Sequence, residues 1–298
     1  MIAESDTASN DLSVSSFSGT ITDAAGGAAG AASGDLGAVT VDGDAPDLSS
    51  IAANDATYKI GDTISITVTW DEAVVVSGTP TLTLSNGDTA SYASGTGNAA
   101  LVFSTVVAED DTASSDLQVS SYSGTITDAA GGAAAAVSGD LGAVIVDADD
   151  PDMTGCAATD AAYGVGELLT ITCTFDEAVT VTGTPTVTLS NGDVASYSSG
   201  TTSANIVFTT TIAQGDSTSA DLAVSSIQPT AGGATMKDAA GNAIDTTVTA
   251  GDLGTVTVDG AVPVFSSVAA TDGAYGVGET LSITVTWGEA VVVSGTPT

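Results

Sequence analysis

The chain has 298 residues, of which 37 are acidic and only two, Lys59 and Lys237, are basic; with no arginine and no histidine the formal net charge is -35. Such a surface has no basic patch to displace the counterions of nucleic acid or of an anionic membrane. The usual nucleophile and general-base arrangements lack their partners, so neither nucleic-acid binding nor catalysis is expected. No stretch approaches the roughly 18 uninterrupted apolar residues of a membrane helix, and direct membrane insertion is not expected either.

Residues 1–45 read as the second half of a repeat that is first complete over 46–150. The boundary is Val41-Asp42-Gly43-Asp44-Ala45-Pro46: a strand end, then acids, then a proline that stiffens the exit. The stretch from Thr63 to Trp70 alternates strictly, with Ile64, Ile66, Val68 and Trp70 on one face and Thr63, Ser65, Thr67 and Thr69 on the other, the period of a half-buried strand. Thr81–Ser85 and Thr89–Tyr92 flank Asn86-Gly87, a dipeptide suited to the positive φ angles of a tight hairpin turn. Strands follow over Ala100–Val107, Leu117–Tyr122 and Ala143–Val146, giving about seven short strands in roughly 100 residues, the spacing of a β-sandwich.

The pattern then returns. Tyr58, Gly61, Trp70, Gly78 and Pro80 recur as Tyr163, Gly166, Phe175, Gly183 and Pro185, and again as Tyr275, Gly278, Trp287, Gly295 and Pro297. A period of that length is that of a whole domain, so the chain reads as an array of modules: a partial one at 1–45, complete ones at 46–150 and 151–262, and a partial one at 263–298. The linkers are short, which favours semi-rigid joints. Two accounts fit the halves at the ends: a stretch cut from a longer array, or half-modules of neighbouring chains that cover each other's open sheet edge and build a filament. The counterpart of residues 82–106 is missing from both halves.

The string from Gly61 to Leu84, the Tyr-Ala-Ser-Gly-Thr-Gly segment at 92–97, Ile-Thr-Asp-Ala-Ala-Gly-Gly at 126–132 and the Val-Asp before each boundary proline resemble the tandem bacterial Ig-like repeats of giant surface proteins and adhesins. That resemblance implies an all-β chain of Ig-like antiparallel sandwiches in a rod, placed outside the cell on its surface. It also implies a structural role in spacing an adhesive domain away from the cell, often with calcium, and carries no catalytic residues.

Acids gather at the module boundaries: Asp42, Asp44 and Asp47, then Asp147, Asp149, Asp150 and Asp152. A turn after Trp70 would bring Asp71 and Glu72 to the same pole, and Asp176 and Glu177 likewise in the next module. Converging carboxylates with interspersed carbonyls can supply the six to eight oxygens that calcium takes, so a Ca2+ site that locks the joint is one reading and a solvated acidic rim the other. The third boundary keeps only Asp259 and Glu289 and is expected to bind weakest. Cys156 and Cys173, the only cysteines, replace the apolar pair Ile51 and Val68, which favours a disulfide between adjacent strands over two reduced core thiols. The Thr-rich face of Thr63, Ser65, Thr67 and Thr69 leaves a carbohydrate-binding module as a third functional expectation, beside spacer and filament subunit.

Overall fold

The structure is a computed structural model that describes residues 1–3, 6–248 and 251–297. The chain is all-β, with no α-helix among the described residues. Its elements in order are β1 (Ser13–Val14), β2 (Gly34–Asp35), β3 (Leu48–Ala52), β4 (Ala56–Lys59), β5 (Thr63–Leu84), β6 (Thr89–Ser94), β7 (Asn98–Val106), β8 (Gln118–Thr127), β9 (Gly139–Asp140) and β10 (Val144–Asp147). The second series is β11 (Met153–Ala158), β12 (Ala161–Gly164), β13 (Leu168–Thr182), β14 (Thr186–Leu189), β15 (Val194–Ser199), β16 (Ser203–Thr211), β17 (Val224–Gln228), a 3-10 turn at Ala231–Gly233, β18 (Thr235–Lys237), β19 (Val256–Asp259), β20 (Phe265–Ala270) and β21 (Ile283–Trp287).

Two compact units divide the chain, Met1–Asp149 and Asp150–Thr298, and each holds its own hydrophobic core. In the first unit β5 is the organising strand. Its first half lies between β3 and β7, its second half between β6 and β8, and all of these pairings are antiparallel. Ile64, Ile66, Val68 and Trp70 face inward and are buried, meeting Leu101 and Phe103 of β7 and Leu82 and Leu84 from the far half of the same strand. The second unit repeats the arrangement with β13 and β16 about Ile171, Cys173, Phe175 and Phe208.

Two local expectations are corrected. No turn follows Trp70: the β-branched run Val74-Val75-Val76 carries β5 onward, and Asp71 and Glu72 sit at an irregularity where the β5–β7 register shifts between Thr69 and Val74. The interruption comes later, where Gly78 takes φ +77° and Pro80 has no N–H to offer the ladder, so the β5–β8 register shifts between Ser77 and Thr81. The Asn86-Gly87 hairpin is present, yet only Gly87 has positive φ. Asn86 instead accepts from Asp88 N through Oδ1 and donates through Nδ2 to Thr112 O, tying the loop to the next connection.

The aromatic residues mark conserved geometry between the units. Tyr92 lies opposite Phe103, with ring centroids 5.9 Å apart, and Tyr197 opposite Phe208 at 6.5 Å, both edge to face. Each tyrosine hydroxyl accepts the N–H of a threonine four residues on, Thr96 and Thr201, which accounts for the Tyr-x-Ser-Gly-Thr strings. Cys156 and Cys173, directly opposite on β11 and β13, are joined in a disulfide with Cα atoms 4.0 Å apart.

The outer segments differ from the complete modules. β1 and β2 form a two-residue ladder with no buried side chain. In β20 and β21, Phe265, Val268, Ile283, Val285 and Trp287 are 40–60% exposed, although Ile66, Val68 and Trp70, the counterparts of Ile283, Val285 and Trp287, are fully buried in the first complete module. Phe265 and Trp287 still pack edge to face at 6.2 Å.

Trp70 is fully buried, and its indole Nε1 is the one buried side-chain nitrogen or oxygen among the described residues without a hydrogen-bond partner. The corresponding residue of the second unit, Phe175, has no such donor to satisfy. Relief of an unsatisfied N–H, about 1–3 kcal/mol, therefore offsets the lost ring volume in Trp70→Phe, which is expected to change unfolding free energy by less than about 1 kcal/mol. Trp70→Ala is expected to cost about 3–5 kcal/mol in the same urea titration.

Candidate metal centre

The repeated Asp-Ala-Ala-Gly string forms a tight loop directly after β8. Asp128 Oδ1 accepts the backbone N–H groups of Ala130 at 2.7 Å, Gly131 at 2.6 Å and Gly132 at 2.9 Å, while Asp128 N donates to Gly132 O. One carboxylate oxygen is thereby consumed in holding the loop, and the side chain is 4% exposed. Asp128 lies within 4.8 Å, ligand atom to ligand atom, of the carboxylates of Asp42 and Glu72, so these three could hold a metal ion. Their burial is graded: Asp42 is exposed, Glu72 half-buried and Asp128 buried.

Glu72 reaches this group from the irregular stretch of β5, and Asp42 from the boundary before Pro46. Beside them a cleft of about 510 Å³ is lined by Thr40, Asp42, Asp44, Ala130 and Gly132. Glu72 has its pKa pushed up, first by burial and then by the negative charges of Asp128, Asp42, Asp71 and Asp44. Charge of one sign collected around a half-buried carboxylate is the electrostatic condition that a divalent cation relieves.

The boundary acids divide between two tasks. Asp42 and Glu72 join the cluster, and Asp44 lines the cleft beside it. Asp71 has a backbone role: its Oδ1 accepts Asp47 N at 2.9 Å while Asp71 N donates to Asp47 O, closing the end of the β3–β5 pair. Asp176 and Asp152 repeat that reciprocal pair in the second unit. Asp147 ends β10 opposite Lys59, and Asp149 closes the first unit. Asp150 opens the second unit, where Glu177 is half-buried in β13. Asp259 caps the N–H of Ala261.

Sequence reasoning missed Asp128. Its only signal was recurrence, since Asp23, Asp128 and Asp238 each open the same Asp-Ala-Ala-Gly string. Asp23 accepts the N–H groups of Gly27 and Ala25, and these bonds lower its pKa. At Asp238 the loop differs in a way that bears on metal binding. Asn242 stands where the first unit has Gly132, and its Nδ2 donates to Asp238 Oδ2 at 2.8 Å. The second carboxylate oxygen, which in Asp128 takes none of these three loop N–H groups, is in Asp238 already engaged by a neutral amide.

No protein-family model matches this chain, and no curated protein matches it.

The raised pKa of Glu72 sets a pH signature. The stability it contributes is fully present below the ordinary glutamate value of 4.5 and is lost as pH rises through the higher value in the folded state. In chelator at neutral pH, Glu72→Gln is therefore expected to melt above the parent protein, the gap closing as pH falls below 4.5. Calcium, if held by the cluster, is expected to invert the order: at about a hundredfold excess over Kd it would add about 2.7 kcal/mol to the parent and much less to Glu72→Gln, a contrast that calorimetry with calcium and with EGTA measures.

Proposed function

We propose that these sandwiches are Ig-like spacer modules of an extracellular surface adhesin, non-catalytic and stiffened by calcium. The observation that carries this reading is duplication with independence. The same strand order is built twice, each copy around its own buried core, as expected of parts that add length. The disulfide is compatible with an oxidising compartment, and no helix among the described residues is long and apolar enough to cross a membrane. The cluster of Asp42, Glu72 and Asp128 at a module boundary supplies the place where calcium would act. Net charge of -35 disperses such a surface in water while opposing compaction, and divalent cations or salt offset that opposition.

A second reading, assembly of a filament through the outer half-modules, draws on the exposed apolar side chains of β20 and β21.

Negative-stain images of the purified chain with calcium and with EGTA separate the two. Discrete particles whose bead spacing tightens in calcium, together with antibody labelling of unpermeabilised source cells, are expected for spacer modules. Fibres that grow with concentration would transfer the case to the filament, and label found only inside permeabilised cells would overturn the surface reading.

A further inference from the structure

The only parallel ladders among the described strands join the first and last parts of each complete module. β4 runs beside β10 from the pair Ala56 and Val144 to the pair Lys59 and Asp147, and β12 runs beside β19 from Ala161 and Val256 to Gly164 and Asp259. Both ladders begin with the same staple: Asp55 Oδ1 accepts Ala143 N at 2.9 Å, and Asp160 Oδ1 accepts Thr255 N at 2.8 Å. The two members are anchored unequally. Val144, Val146, Val256 and Val258 are buried in the cores, whereas β4 and β12 contain no fully buried residue. The backbone ladder is therefore a large part of what holds β4 and β12 in place.

This arrangement has a mechanical consequence. When a module is drawn out by its two ends, its first strand is pulled one way along its length and its last strand the other. Side-by-side parallel strands then slide past each other, and their hydrogen bonds are loaded together in shear instead of being unzipped in turn. We infer that the β4–β10 and β12–β19 ladders are the load-bearing clamps of their modules, and that the Cys156–Cys173 disulfide grades them, so that the first complete module yields before the second. The use of such a device rests on the spacer reading above; its physics does not.

The grading follows from where the sulfurs sit. In the first module β3 and β4 are held by non-covalent pairing alone, with Ile51 opposite Val68 at the position of the disulfide. Tension can there release the module by stripping either the leading strands or β10. In the second module tension entering through β11 passes across the sulfur bridge to β13, the strand that pairs with β16 over its first half. β12 lies inside the closed loop between the two cysteines, which are 17 residues apart, and cannot be drawn out. Withdrawal of β19 is the one route left.

Single-molecule stretching of the full chain held by its termini tests this. Each complete module is expected to open in one rip of roughly 30 nm, and reduction identifies the second, because freeing 17 residues lengthens its rip by about 6 nm and leaves the other unchanged. Under oxidising conditions the reduction-insensitive rip is expected first, at the lower force. With reductant, or in Cys156→Ile with Cys173→Val, the fixed order is expected to disappear. Ile145→Pro probes the clamp itself. Val144 O and both backbone groups of Val146 are engaged by Leu117 and Ser114 on the opposite edge, which leaves the N–H of Ile145, a 39% exposed residue, directed at β4. This variant is expected to lower the force of the first rip. A disulfide-sensitive rip that comes first under oxidising conditions overturns the grading, and unchanged force in folded Ile145→Pro overturns the clamp. If that variant does not melt cooperatively, Ala56→Pro on the facing strand, which removes the N–H donated to Ala143 O at 3.1 Å, gives the same reading. Ordered rips in a protein found inside cells would leave the clamp standing and remove the spacer role, so the two failures are distinct.

Discussion

Cohesion in this molecule has to come from burying aliphatic side chains, because its charges can contribute almost none. Two lysines cannot pair with 37 carboxylates, and one of them, Lys59, stands 3.6 Å from Asp62 at an exposed site, where such pairs are worth little. What remains is alternation. A strand that places Ile64, Ile66, Val68 and Trp70 on one face and hydroxyl residues on the other removes the first set from water and leaves the second to the solvent. Every other structural feature is arranged around strands that obey that rule.

Under this constraint the aspartates work as acceptors for backbone donors. Asp128 takes three N–H groups of its loop, Asp71 and Asp176 close the ends of β-pairs, and Asp55 and Asp160 reach across to Ala143 and Thr255. Loops that would otherwise leave amides unpaired are thereby satisfied, and the negative charge is distributed where the chain turns. Around Glu72 the carboxylates of Asp42 and Asp128 converge, burial and the surrounding negative charge raise the Glu72 pKa, and the three side chains could hold a cation.

Much of the fold was legible because the period of two, the turn residues and the repeat are local signals. The strand from Thr63 to Trp70 could be read residue by residue, and the joint replacement of Ile51 and Val68 by Cys156 and Cys173 pointed to two positions in contact. Legibility failed where a long-range relation decided the outcome. Asp71 and Glu72 resemble a turn in composition, yet the valines beyond them pair with β8 and keep the strand going. Asp128 lies 56 residues from Glu72 in sequence, and nothing local shows that the loop after β8 returns to the irregular stretch of β5. The substitution of Gly132 by Asn242 is visible in the alignment of the repeats, but its meaning depends on the direction of one amide.

The two parallel ladders also place the entry and the exit of a module at opposite poles, since neighbouring strands that share a direction begin at one end and finish at the other. A segment built in this way can be copied or deleted in the gene as a whole without breaking a single rung of its neighbours. On the spacer reading, reach then becomes a quantity that recombination can adjust by integers, while the chemistry of each interior is left untouched.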